Sequence, residues 1–221
     1  MSDARATVSP VDTDDWLTDT RTSYDTVADS YADYVRESLS EEPYLRAALA
    51  LFAELVHVAG RGPVADVGCG PGQVTAHLHD LGLDIVGIDL SPAMVDVARR
   101  EHPGLRFKVG SMTDLDLADA SVAGLLAFWS LVHVPDHALP GVFGHFRRAL
   151  RPGGPLLLGF HVGDTSRLKT EGYGGHPMKV YVHRRQPAQV AALLREAGFT
   201  VEAHTLLSPE ESVPGAVIFA R

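Results

Sequence analysis

The chain has 221 residues, 45% of them apolar and 21% charged, the balance of one soluble domain at ~100–200 residues per domain, long enough to bury a full core without staples. Its single cysteine, Cys69, excludes an intrachain disulfide, and its net charge of −9 sits almost wholly in residues 1–42, which hold 11 acids against 3 bases, while residues 43–221 hold 17 against 16. There is no basic footprint for a phosphate backbone, no apolar run long enough to span a bilayer and no secretory pattern at Met1, so we expect a cytoplasmic protein without nucleic-acid or membrane partners.

In chain order, residues 1–20 are polar and read as a loose acidic tail. Tyr24, Val27, Tyr31, Tyr34 and Val35 recur at helical spacing, and Pro43 opens a second helix with Leu45, Leu49, Phe52 and Val56 on one face. Beyond Gly60-Arg61-Gly62-Pro63 the pattern changes to short apolar runs alternating with amphipathic stretches. Val64–Val67, Ile85–Ile88, Leu105–Val109, Val122–Phe128 and Pro155–Phe160 read as strands, with helices at Gln73–Leu81, Pro92–Arg100 and His137–Leu150. Apolar strands separated by helices imply a parallel sheet covered on both faces, with the strand-to-helix loops gathered along one edge. A polar, Gly-rich insert from Val162 to Arg185 carries five bases against two acids and reads as a solvated loop; its sharper reading is a docking face for an acidic acceptor. A helix at Pro187–Ala197 and strands at Phe199–Leu207 and Val213–Ala220 close the chain. The expected organisation is a tail over 1–20 and one domain over 21–221, with lid helices over about 21–59 and the insert over about 162–185.

The informative segment is Asp66-Val67-Gly68-Cys69-Gly70-Pro71-Gly72, at a strand end and opening a helix. Glycines there let the backbone turn tightly and approach a ligand. Asp89 ends the second strand, 17 residues beyond Gly72, where an acid can take both hydroxyls of a ribose. The spacing is G-x-G-x-G; a dinucleotide fold places the third glycine where Gln73 stands, and its pyrophosphate would sit badly beside Asp66. An acid there suits a ligand with an ammonium and no phosphate, as in S-adenosylmethionine.

Asp66 to Gly72, Asp89-Leu90-Ser91-Pro92 with Met94, Gly110-Ser111-Met112, Phe128-Trp129-Ser130-Leu131-Val132-His133 and Leu150-Arg151-Pro152-Gly153-Gly154 fall in an order that resembles the class I S-adenosylmethionine-dependent methyltransferases, most closely their small-molecule branch. The resemblance implies a Rossmann-like, doubly wound, mostly parallel seven-stranded sheet with its last strand antiparallel, helices on both faces and an N-terminal helical lid. It also implies roles. Asp66, Gly68, Cys69 and Gly70 would surround the methionine moiety and Asp89 would hold the ribose. Leu90 and Met94 would flank adenine, with Ser111 and Met112 at its edge, and Phe128 and Ser130 would close over the methionine end. Tyr24 and Tyr31 would belong to the lid. Ser111 departs from the family's frequent Asp, as does Ala123 at the fourth strand.

Methyl transfer needs positioning and electrostatics, plus a base only where the nucleophile must lose a proton. Among 11 histidines, His133, His161 and His176 are the candidates for that base, each with a purely structural alternative. His133 and His137 have a ligand-like spacing, but Pro135 between them breaks the shared helical face, so no metal is expected. Two rival readings stand beside small-molecule methyl transfer: a nicotinamide-dependent oxidoreductase and a non-catalytic S-adenosylmethionine-binding partner protein.

Overall fold

A computed structural model describes residues 15–221. The first fourteen residues of the expected tail lie outside the described residues, and the remainder of that tail is already helical. The leading helix α1 runs Asp15–Val35, followed by a short α2 (Ser38–Glu41) and by α3 (Pro43–Val58), which starts at its proline as the sequence requires. Then come β1 (Pro63–Val67), α4 (Gln73–Asp80), β2 (Asp84–Asp89), α5 (Pro92–Glu101), β3 (Arg106–Val109) and β4 (Gly124–Phe128). Ser91 caps α5 by accepting from the Met94 N–H at 3.1 Å. After a 3-10 turn at Leu131–His133, a second one at Asp136–Ala138 takes the place of the start of the helix expected from His137, so α6 begins at Leu139 and ends at Ala149. The chain closes with β5 (Leu156–His161), β6 (Ser166–Gly172), β7 (His176–His183), α7 (Pro187–Glu196), β8 (Val201–Leu207) and β9 (Gly215–Ala220).

Seven strands form one sheet in the order β3-β2-β1-β4-β5-β9-β8. All neighbours are parallel except β9, which inserts antiparallel between β5 and β8. The centre of the sheet is buried on both faces because β4, β9 and β5 as far as Phe160 are apolar at successive positions and sort by parity, whereas the edge strands β3 and β8 are largely exposed. Leu125 and Ala127 of β4, Leu156, Leu158 and Phe160 of β5, and Ala216 and Ile218 of β9 face the core completed by Phe143 and Phe146 of α6 and Leu194 of α7. Their alternates Leu126, Leu157, Val217 and Phe219 face Leu49, Phe52 and Val56 of α3.

The insert is not a loop. Its β6 and β7 pair as a separate antiparallel hairpin, turning through Tyr173, Gly174 and Gly175, all at positive φ (49°, 95°, 84°). The glycines supply that conformation without steric cost. Met178 and Val180 point from β7 onto Val27, Ala28 and Ala32 of α1. The Lys179 N–H donates to Ser23 Oγ at 2.8 Å, and the Lys179 ammonium meets Asp19 at 2.8 Å. Helix α1 and the hairpin therefore form one cover over the carboxyl edge of the sheet. Among the described residues, no helix is long and apolar enough to cross a membrane.

Candidate active site

Strand order reverses between β1 and β4, so the loops after these two strands diverge and leave a crevice at their carboxyl ends. Helix α1 roofs that crevice. The resulting cavity lies at the carboxyl ends of the strands beneath this helix, where open α/β sheets bind their ligands. Its floor is Gly68 and Gly70. Asp89, Leu90, Met94, Ser111 and Met112 line one end, Trp129, Ser130 and His133 the other, and Trp16, Leu17, Thr20, Tyr24 and Tyr31 form the roof.

The glycine loop is held by its own donors. Gly68 and Cys69 N–H both reach the Ile88 carbonyl, at 2.7 and 3.1 Å, and Gly72 N–H reaches the Cys69 carbonyl at 3.1 Å. Gly70 N–H donates to Asp89 Oδ2 at 2.8 Å, while Ser91 N–H donates to Oδ1 at 2.9 Å. A carboxylate has about four acceptor sites, so Asp89 keeps capacity for two further donors. Burial pushes its pKa up, and the Ser91 and Gly70 N–H groups oppose that rise. Gly68 and Gly70 adopt φ of +78° and +54°. A Cβ on Gly68 would come within 2.2 Å of Ser130 Cβ, because the Ser130 hydroxyl is drawn onto the Val67 carbonyl at 2.7 Å.

The roof is joined to the cavity wall by a side-chain pair. Tyr24 Oη and His133 Nε2 are 2.7 Å apart, and His133 Nδ1 lies 2.7 Å from the Tyr181 carbonyl oxygen on β7. A carbonyl only accepts, so Nδ1 carries the proton, Nε2 offers its lone pair, and Tyr24 donates. Burial lowers the His133 pKa to about 4, with only the Tyr181 carbonyl acting in the opposite direction. The imidazole is thus neutral at pH 7. Its turn is clamped by Arg185, buried to 5% exposure, which donates to the Leu131 carbonyl at 3.1 Å, to Asp136 at 2.8 Å and to the Val134 carbonyl. Tyr24 packs edge-on against Tyr31 at 5.6 Å between centroids, and Tyr31 against Tyr173 of the hairpin turn at 4.8 Å. Asp25, one residue on, accepts from Ser91 Oγ and from Ala93 N–H at 3.1 Å, fixing α1 to the start of α5.

Ten of the candidate residues meet at this cavity: Tyr24, Tyr31, Gly68, Gly70, Asp89, Leu90, Met94, Ser111, Met112 and Ser130, with His133 among the candidate bases. Five others lie outside its lining. Asp66 is 1% exposed and takes the Thr75 hydroxyl at 2.7 Å; burial raises its pKa to about 7, and Thr75 limits the rise. The Cys69 side chain packs with Val95, Ala98 and Phe107, and burial holds its thiol protonated. Phe128 faces the α3 side of the sheet. Trp129 lines the cavity in its place, since a φ of +56° breaks the strand alternation and lays the indole over Gly159 and Gly215. His161 accepts from Trp129 Nε1 at 3.3 Å and so supports the indole. His176 is exposed at the hairpin tip, away from the crevice. The sequence reading missed Thr75, Trp129, Arg185, Trp16 and Leu17. Only Arg185 carried a signal, as part of a basic insert, and that signal pointed to ligand rather than to backbone. Among the described residues, no group of three or more His, Cys, Asp or Glu is placed to hold a metal ion.

A methyltransferase-domain family model matches residues 64–154, the span from β1 to just before β5. A probable S-adenosylmethionine-dependent methyltransferase of Mycolicibacterium smegmatis is 30% identical over 167 residues, 74% of this chain and 62% of that protein. A ubiquinone biosynthesis O-methyltransferase of Xanthomonas axonopodis pv. citri is 32% identical over 155 residues, 63% of each chain. The chain thus spans about three-fifths of the length of these curated relatives. The fold is shared with the crystal structure of Burkholderia thailandensis 1,6-didemethyltoxoflavin-N1-methyltransferase, at a TM-score of 0.72 and 24% identity, covering 100% of this chain and 92% of that one.

Proposed function

We propose that the chain, which matches a methyltransferase-domain family model over residues 64–154 and a probable S-adenosylmethionine-dependent methyltransferase at 30% identity, is a class I S-adenosylmethionine-dependent methyltransferase that transfers a methyl group to a small-molecule acceptor. The observation that carries this reading is the roofed crevice in which Asp89 faces the glycine loop. The residues fit that donor. Among the described residues, the cavity wall has one carboxylate, Asp89, and one ordinary cation, Arg21, which is exposed. Such a wall suits a cationic ligand without phosphate. A Cβ on Gly70 would project toward Tyr31 Cε1 at 3.7 Å, into the space between floor and roof.

In this reading Asp89 accepts both ribose hydroxyls. Leu90, Met94 and Met112 enclose the adenine, with Ser111 at its edge, and Gly68, Gly70 and Ser130 flank the methionine end. The donor supplies an activated methyl on a sulfonium. The protein's part is to align the acceptor, exclude water with α1 and the hairpin, and hold Tyr24 against His133. His133 does not serve as a free base here, since its one lone pair is already taken by Tyr24 and burial disfavours its protonation. Asp66 and Cys69 act on the site only through the loop they support.

The nicotinamide reading is opposed by the same loop. A pyrophosphate is held by backbone N–H groups aimed at it, whereas Gly68, Cys69, Gly70 and Gly72 spend theirs within the fold. A chain with one cysteine, and so no intrachain disulfide, fits a reducing setting. The small crevice and near-neutral body support an acceptor that is neither nucleic acid nor membrane. Thermal-shift measurements test the proposal. S-adenosylhomocysteine raises the melting temperature by mass action, while NADH and NADPH do not; the reverse pattern would refute it.

A further inference from the structure

The donor, held as proposed, leaves Trp16, Leu17, Arg21, Trp129 and Val134 of the cavity wall for another molecule. Trp129 is seated there as a platform. Its φ of +56° takes the indole out of the strand alternation, and its benzo ring lies on glycines of two neighbouring strands. A Cβ on Gly159 of β5 would come within 2.5 Å of Cζ3, and one on Gly215 of β9 within 3.0 Å of Cζ2. The Nε1–H is spent on His161 Nδ1 at 3.3 Å, so the indole offers the cavity ring carbon and no donor. Leu17 and Val134 add apolar wall, and Trp16 adds a second indole from the roof. A flat aromatic body packs on such a surface better than a bulky saturated one.

The same wall holds no group ready to take a proton from an acceptor. His133 Nε2 is engaged with Tyr24 at 2.7 Å. Asp89 accepts from the Gly70 and Ser91 N–H groups and has its remaining lone pairs assigned to the ribose. Burial pushes the Tyr24 and Tyr31 phenols up, so both stay protonated. A nucleophile that must shed a proton during transfer lacks a partner there, whereas one that arrives ionised needs none. Arg21, exposed at the cavity's edge, is the wall's one ordinary cation among the described residues. It draws anions toward the crevice and repels cations. Among oxygen nucleophiles, carboxylates are ionised at neutral pH and phenols largely are not.

Resting on the proposed methyl-transfer reading, we infer that the acceptor is an aromatic carboxylate, with its ring on Trp129 and its ionised oxygen toward the donor's methyl group. The step balances without a protein base. A carboxylate oxygen forms the new bond to the methyl carbon, the carbon–sulfur bond breaks, and its electron pair stays on sulfur. An anion and a cation become a neutral ester and a neutral thioether, and no proton moves. Trp129 selects the ring, Arg21 selects the charge, and His161 is a positioning residue that acts through the indole.

Titration calorimetry tests this on protein saturated with sinefungin, which carries an amine where the sulfonium stands. The probes are naphthoate, naphthamide, naphthylmethylamine and adamantane carboxylate. Naphthoate should bind at least tenfold tighter than the neutral amide or the amine, and about fivefold tighter than the saturated acid. Arg21→Gln should weaken both acids about threefold, with the amide and sinefungin within twofold of wild type. Trp129→Leu should bring naphthoate and adamantane carboxylate to nearly equal affinity while sinefungin still binds; if that variant does not fold, the wild-type ratios and Arg21→Gln decide. Amide or amine binding as tightly as naphthoate, a ring preference that survives Trp129→Leu, acids indifferent to Arg21→Gln, or no binding of naphthoate overturns the inference and leaves the methyl-transfer reading standing. Failure of the wild-type protein to bind either sinefungin or S-adenosylhomocysteine overturns both.

Discussion

Gly70 donates its backbone N–H to Asp89 Oδ2 across 2.8 Å, so the middle of the glycine loop is tied to the end of the second strand by the same carboxylate that faces the cavity. Asp89 therefore has two duties, shaping the loop and offering its remaining lone pairs to a ligand.

Replacing that carboxylate separates the two duties. Asp89→Ala removes two charge-assisted hydrogen bonds to a ribose, each worth about 1.5–3 kcal/mol, and frees Gly70. Calorimetry with S-adenosylhomocysteine should show at least a tenfold loss of affinity. Asp89→Asn retains an acceptor for one N–H and should bind better than Asp89→Ala. Unchanged affinity in both variants would remove Asp89 from the site.

The two glycines of the floor should respond differently to alanine. At Gly68 the new Cβ meets Ser130 Cβ at 2.2 Å in a backbone at φ +78°. Strain of about 1–2 kcal/mol from the left-handed conformation adds to about 1–3 kcal/mol of overpacking. Gly70→Ala has 3.7 Å of clearance and should lose only the conformational part. Urea unfolding should thus rank Gly68→Ala as the less stable, while Gly70→Ala folds and loses ligand affinity because its methyl occupies the crevice. Equal stabilities would contradict the packing of Ser130 over Gly68.

Asp66 should leave a signature in stability against pH. Burial raises its folded pKa from 3.8 to about 7, so the folded state holds a proton that the unfolded chain gives up. The associated stability is full below pH 3.8, falls as pH rises toward 7, and levels off above it. Asp66→Asn retains an acceptor for Thr75 without the titration. Relative to that variant, the wild-type melting temperature should decline from pH 4.5 to about 7 and then stay parallel. A constant difference across the range would mean that Asp66 is ionised in the fold.

Both tryptophans of the chain, Trp16 and Trp129, stand in the cavity wall. Ligand binding should therefore change intrinsic fluorescence, and Trp16→Phe, which leaves Trp129 alone, should retain part of the change. A ligand that binds by calorimetry with no fluorescence response in either protein would place the site elsewhere.

The sequence carries the sheet because β4, β9 and β5 as far as Phe160 are short apolar runs separated by amphipathic helices, the pattern of a doubly covered sheet. It carries the floor of the site because glycines and an acid at strand ends have few other uses. Three things escaped it for physical reasons. The hairpin was masked by its exposed outer face, although Met178, Val180 and Val182 alternate at strand period. Trp129 displaced Phe128 because a left-handed backbone at a tryptophan is set by tertiary packing and leaves no local mark. Asp66 turned inward because Thr75, nine residues on, meets it only after α4 has formed. His133 was legible as a residue of the site, but its role was not, since both of its partners, Tyr24 and the Tyr181 carbonyl, are distant in sequence.

The central claim is that this crevice holds the methyl donor across Asp89 and the glycine loop, beneath Tyr24. A crystal structure grown with S-adenosylhomocysteine tests it most directly. The account predicts ribose hydroxyls within hydrogen-bond distance of Asp89, the adenine between Leu90 and Met112, and the methionine end over Gly68 and Gly70. Ligand density outside the crevice, or a ribose turned away from Asp89, would contradict it.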